Sequence, residues 1–107
     1  WFDQPVAGAK TASRFEVHGW AFKDGVGLDG VEVLLDGRIA AQADYGRDDF
    51  GVLRYWKDST DPHHPRVGFR ADVDASSLAP GRHWLGLRLH GSDASVEDWS
   101  EQPIVLE

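Results

Sequence analysis

The chain contains neither cysteine nor methionine in its 107 residues. Without cysteine there is no disulfide, no thiolate nucleophile, no zinc ribbon and no iron–sulfur cluster, so packing and hydrogen bonds alone must hold the fold. Without methionine there is no initiating residue, and the chain reads as one part, beginning at Trp1, of a longer protein. The closing Leu106-Glu107 pair carries no weight in that reading. Basic residues are scarce as well: 11 Lys and Arg stand against 18 acids, for a formal charge of −7. With no basic cluster, counterion release from phosphates is unavailable, which argues against nucleic acid and against an anionic membrane surface as partner. No apolar run nears the roughly 20 residues of a spanning helix, so direct membrane insertion is not expected. A sustained helical period is missing too.

What is present is a period of two. In residues 14–22, Phe15, Val17, Gly19 and Ala21 alternate with Glu16, His18, Trp20 and Phe22. Val31, Val33 and Leu35 form a second apolar row, and Asp36-Gly37 then predicts a two-residue hairpin, because glycine tolerates positive φ. The return run sets Ile39, Ala41, Ala43 and Tyr45 on one face. Residues 67–73 alternate most cleanly, residues 83–90 set His83, Leu85, Leu87 and Leu89 against Trp84, Gly86, Arg88 and His90, and residues 99–106 contain Pro103 and read as an edge strand. A chain this long forms one domain, 1–107, hiding roughly 60–70% of its unfolded surface. The expected fold is an all-β antiparallel sandwich of about seven strands. Residues 46–66 are the exception, a long connection that predicts either a short helix near 49–55 or a loop with a task of its own.

Several segments in order carry a resemblance: FEVHGW at 15–20, VEVLLDG at 31–37, YGRDDF at 45–50, VGF at 67–69 and LAPGRH at 78–83. Together they resemble a bacterial immunoglobulin-like domain of the kind appended to envelope-related and glycan-handling proteins. The corner at 78–81 is similar to the loop before the sixth strand of fibronectin type III modules. The resemblance implies a β-sandwich with an accessory role, adjacent domains of a parent protein as partners, and a cell-envelope or extracellular setting. It carries over no catalytic residues. Asp49 stands where such domains commonly have proline, and the 57–65 stretch is long and rich in histidine.

A hydrolase needs a nucleophile, a base and an orienting acid in contact, and the sequence offers no Gly-x-Ser-x-Gly elbow. Ser76 and Ser77 follow Asp74, an arrangement that capping of a short turn explains. Asp72 and Asp74 share a strand face but fit solvated positions better than an acid pair. The chain is therefore not expected to be an enzyme, and no cofactor is expected. Asp61, His63 and His64 are weak metal candidates, because neighbouring histidines held between two prolines tend to diverge. Asp24, Asp29, Asp44, Asp48 and Asp49 supply oxygens without the spacing of a calcium loop. A small enzyme or metal domain built on Asp48, Asp49, His63 and His64 is the least favoured reading.

Five tryptophans are the most informative functional feature, because indole faces suit the apolar faces of sugars. Trp84 is the best candidate for an exposed ring, with Arg88 on the same strand face, and Tyr55 and Trp56 in the long connection complete the candidate ligand set. Trp20 is expected to be the tryptophan buried between the sheets, and Trp1 and Trp99 to seal the sandwich or face a neighbouring domain. The leading expectation is a non-catalytic module acting as spacer or docking domain. The alternative is a carbohydrate-binding module.

Overall fold

The computed structural model describes residues 1–23, 25–47 and 67–107. Nine strands run through them: β1 (Phe2–Gln4), β2 (Lys10–Thr11), β3 (Arg14–Trp20), β4 (Leu28–Leu35), β5 (Arg38–Gln42), β6 (Asp44–Arg47), β7 (Gly68–Asp74), β8 (Gly81–Gly91) and β9 (Val96–Leu106). They form a four-stranded sheet, β1-β3-β7-β6, and a five-stranded sheet, β2-β9-β8-β4-β5. The all-β sandwich expected from the two-residue period is what forms. Most of the long connection, with Tyr55, Trp56, Asp61, His63 and His64 and the helix expected near 49–55, lies outside the described residues, as do Asp48 and Asp49. Gly46 and Arg47, assigned to that connection by the sequence, belong to β6.

Period two explains the core. Val17, Phe69, Ala71 and Val73 from one sheet meet Val31, Val33, Leu85, Leu87 and Ile104 from the other, all at most 4% exposed. Each such side chain removed from water contributes about 1.5–3 kcal/mol before chain entropy is counted. The β3–β7 register is unbroken from Arg14↔Asp74 to Trp20↔Gly68, so both strands keep one apolar face over their whole length. Leu106 is 3% exposed and pairs with Thr11 and Gly81, so the penultimate residue belongs to the core.

The hairpin forms where Asp36-Gly37 places it. Both residues have positive φ, 52° and 81°, and Leu35 pairs with Arg38 across a two-residue turn. That geometry matches the right-handed twist of the flanking strands. Beyond the turn the simple alternation fails. Val33 pairs with Ala41 but Leu34 with Ile39, so Ala40 is an extra residue in β5. The bulge reverses the phase, and Ile39 is 52% exposed instead of sharing the inner face with Ala41. The return run also divides: β5 stays with β4, whereas β6 crosses to pair with β7 in the other sheet. This division and the short β1 and β2 raise the strand number above the expected seven.

Two further departures come from pairings between distant segments. The β2–β9 pair is parallel, Lys10↔Val105 and Thr11↔Leu106, so the sandwich is not wholly antiparallel. β9 is an edge strand only beyond that short contact, with Pro103 opposite Trp84 on its other side. The corner expected at Ser76-Ser77 is a turn: Ser76 N–H donates to Asp74 Oδ1 at 3.0 Å and Leu78 N–H to Ala75 O at 3.0 Å.

Candidate functional site

Trp84 projects from β8 with 49% of its surface exposed, on the strand phase that the alternation assigned to it. The guanidinium of Arg82 lies 5.9 Å from the ring centroid, a cation–π contact that covers part of the indole. Arg88 lies four residues farther along the strand, about 13 Å at an extended rise. It donates from Nε to Asp98 Oδ1 at 2.7 Å and from its terminal nitrogen to Oδ2 at 2.9 Å, in bidentate geometry. The hydrogen bonds from Arg88 hold the Asp98 carboxyl below the usual carboxylate range. Trp84 and Arg88 therefore share a strand without sharing a contact point.

Trp20 does not occupy the core. No bulge at Gly19 breaks the β3–β7 register, so Trp20 keeps the phase of Glu16 and His18 and is only half-buried. The aromatic rings between the sheets belong to Phe2 and Phe69, which meet edge-on at 5.7 Å. Trp20 instead lies between two further rings. Its centroid is 6.4 Å from Trp1 at an interplanar angle of 28°, and 5.5 Å from Phe22 at 14°. Gly19 makes this arrangement possible. A Cβ there would sit 2.0 Å from the Trp1 carbonyl oxygen, so only glycine lets the start of the chain lie against β3. Trp20 N–H donates to that same carbonyl at 3.1 Å.

These rings line a cleft of about 440 Å³ together with Trp99, Glu97 and Glu101 of β9. Ala21, Leu87 and Leu89 complete its apolar lining. Trp1 is 58% exposed and Trp99 53%, so neither ring is sealed into the sandwich, and of the two expectations the one that stands is a surface for a neighbouring domain. Trp1 Nε1 donates to Asp3 Oδ1 at 3.0 Å, and Trp99 Nε1 to Glu97 Oε2 at 3.4 Å. Lys23 donates from Nζ to Ser95 Oγ at 2.6 Å and to Glu97 Oε1 at 3.2 Å. The sequence carried a signal for this cleft in the alternation Glu97, Trp99, Glu101, which sets one aromatic between two acids at strand spacing. The contribution of Trp1 rests on a long-range contact that no local pattern announces.

A second polar cluster sits at the hairpin tip. His83 Nδ1 lies 2.5 Å from Asp36 Oδ2, and its Nε2 lies 2.7 Å from Ala79 O. Both ring nitrogens face oxygen acceptors, an arrangement that favours the doubly protonated ring. The hydrogen bond to Asp36, then the one to Ala79, raises the His83 pKa above its ordinary value. Partial burial pushes the Asp36 carboxyl up, but hydrogen bonds from His83 and from Trp84 N–H outweigh it and hold the group below its ordinary range.

The remaining chemistry is dispersed. His90 Nε2 hydrogen-bonds Glu32 Oε1, and His18 lies 4.0 Å from Asp3. Ser92 donates to Asp29 at 2.8 Å and Ser95 to Asp93 at 2.5 Å. Asp72 and Asp74, expected to be solvated, are exposed and contact Arg70 at 3.3 Å and Arg14 at 3.5 Å respectively. Among the described residues no three His, Asp or Glu side chains converge to hold a metal ion.

No family profile matches the chain, and no curated protein matches it in sequence. Likeness is found among solved structures. The fibronectin(III)-like modules of CbhA from Clostridium thermocellum superpose on 100% of this chain with a TM-score of 0.62 at 16% identity. The fold is fibronectin III-like. This agrees with the immunoglobulin-like resemblance read from the strand motifs. The endo-β-1,4-mannanase of Thermotoga petrophila also superposes, over 99% of this chain, with a TM-score of 0.63 at 14% identity. The chain spans 45% of the first of these proteins and 19% of the second.

Proposed function

We propose that the chain is a non-catalytic accessory module of a larger bacterial protein, acting as a spacer or as a docking face for an adjacent domain. The observation that carries this reading is coverage: essentially the whole chain superposes on part of a longer protein in both comparisons. One of those proteins is described by its fibronectin(III)-like modules, and the other is a mannanase several times longer than this fold. The side-chain chemistry is consistent with such a role, because the serines and histidines described above are paired to carboxylates and backbone oxygens, not to one another. Replacing residues 1–107 in the longer protein by a flexible linker of matched span tests the proposal. The expected result is unchanged turnover of soluble substrates by the other domains, with a broader interdomain distance distribution or a lower melting temperature for the neighbour. Loss of the chemistry itself, or no change in either property, counts against it.

A carbohydrate-binding role through Trp84, Arg88, Tyr55 and Trp56 is the second reading, favoured by the half-exposed Trp84 indole beside Gly86. Glycan-array binding that disappears in Trp84→Ala supports it, and equal binding by the variant removes it.

A further inference from the structure

Single exposed hydrophobic side chains are ordinary on protein surfaces. Two indoles more than half exposed at one cleft, each with its ring nitrogen donating to a carboxylate, are a different arrangement. Trp1 reaches this cleft from beside the four-stranded sheet and Trp99 from the edge of the five-stranded sheet. Their rings are held before any ligand arrives, which lowers the ordering cost of binding.

Three features define the ligand. The rings of Trp1, Trp20 and Phe22 stack in series, with angles of 28° and 14° between successive pairs, so they leave open ring area on the exposed Trp1 instead of enclosing a cage. A quaternary ammonium ion is best held by aromatic faces set around it, whereas a flat molecule suits a single open face. The carboxylates of Glu97 and Glu101 border the cleft; the nearby ammonium of Lys23 is already bonded to Ser95 and Glu97, and the terminal ammonium of Trp1 donates to Trp20 O at 3.1 Å and lies in the field of Glu101 and Asp3. With both cations engaged, that pattern disfavours carboxylate, sulfate and phosphate groups and accepts hydrogen bonds from neutral hydroxyls. The volume of about 440 Å³ lies within the range of roughly 300–1,000 Å³ typical of small-ligand sites.

The geometry points to a binding site for a neutral pyranose oligosaccharide, with its C–H faces against Trp1 and Trp99 and its hydroxyls donating to Glu97 and Glu101. The weakly positive C–H groups of a pyranose meet the negative face of the indole, while the equatorial hydroxyls extend to the ring edges where the carboxylates stand. This goes beyond the accessory role and uses other residues than the Trp84 face, so either can fail without the other.

The test is titration of the 107-residue chain with neutral cello-, manno- and xylo-oligosaccharides, with oligogalacturonate and choline as comparators, followed by the indole N–H resonances. The expected result is binding of a neutral oligosaccharide that shifts the Trp1 and Trp99 signals. Trp99→Ala and Trp1→Ala should each weaken it by about tenfold. Trp99→Phe keeps a ring and should retain part of the affinity, which separates loss of stacking from loss of fold. Trp84→Ala should change the affinity by less than about twofold. Absence of binding by every neutral oligosaccharide overturns the proposal. So does tighter binding of choline or oligogalacturonate, or affinity that depends on Trp84 and not on Trp99.

Discussion

At the β4–β5 hairpin tip, one imidazole joins three chain segments through polar contacts: His83 on β8, Asp36 in the turn and Ala79 in the preceding corner. At the β1–β9 edge, the segments meet through rings that stay more than half exposed at Trp1 and Trp99. The hairpin tip is a joint whose donors and acceptors are committed to one another. The edge retains apolar area and carboxylates with bonding capacity left over. The difference teaches where to look for function in a sandwich of this kind. Committed polar groups hold the fold together, and uncommitted surface is what a ligand or partner can use.

The sharpest way to break the comparison is at the edge. Gly19→Ala would place a methyl group 2.0 Å from the Trp1 carbonyl oxygen and 2.9 Å from the Phe2 Cα, both backbone atoms. Displacing β1 would also uncover Phe2, which is 3% exposed. The expected loss is about 2–4 kcal/mol in denaturant unfolding, with disappearance of the Trp1–Trp20 ring contact. A fully stable Gly19→Ala protein would show that β1 contributes little to the sandwich.

A smaller effect is expected at the hairpin. Asp36→Ala removes the acceptor for His83 and for Trp84 N–H and puts alanine at a φ of 52°. The Asp36 side chain is 44% exposed, so solvent screening reduces what those bonds contribute, and the expected loss is about 1–2 kcal/mol. Chemical denaturation measures it, and a change below about 0.5 kcal/mol would mean that the turn stands without the cluster.

The smallest effect sharpens the same site through pH. His83 has its pKa raised in the folded state, so its contribution is complete below the unfolded value near 6.5 and is lost as pH rises through the higher folded value. Asp36 has the opposite sign: its contribution is present above the unfolded value near 3.8 and is lost as pH falls through the lower folded value. The melting temperature should therefore decline as pH rises above about 6.5 in the wild type and decline less in Asp36→Asn. Parallel curves for the two proteins would locate the pH dependence elsewhere.

The parts of the fold that were legible in the sequence are those fixed by neighbours along the chain. The β7 alternation is readable because one face of that strand is buried along its length, and the β4–β5 turn because Asp36-Gly37 can adopt two successive positive φ values. What escaped depends on distant partners. Trp20 matches a core tryptophan in size and position, but Phe2 and Phe69 fill the space between the sheets and the unbroken β3 register keeps Trp20 out of it. Ala40 gives no sign that it will be the bulged residue that turns Ile39 outward. Of the candidate site, the exposure of Trp84 followed from strand phase. Of the cleft only the Glu97, Trp99 and Glu101 row was readable; its assembly was not, because Trp1 and Trp99 stand at opposite ends of the sequence.

The parallel β2–β9 pair has a mechanical consequence. A pull on the two ends of the chain loads β1 against β3 first; once β1 is released it enters β2 from its start and leaves β9 from its finish, so the force at this pair runs along the strands in opposite directions. The hydrogen bonds that cross this junction include Gly8 N–H to Pro103 O at 2.7 Å, Val105 N–H to Ala9 O at 2.9 Å and Glu107 N–H to Thr11 O at 2.9 Å. Loaded in shear, they share the tension and must rupture together, whereas bonds peeled from one end break in turn. The junction near the ends of the chain is thus arranged to bear tension, and Leu106 ties it directly to the core.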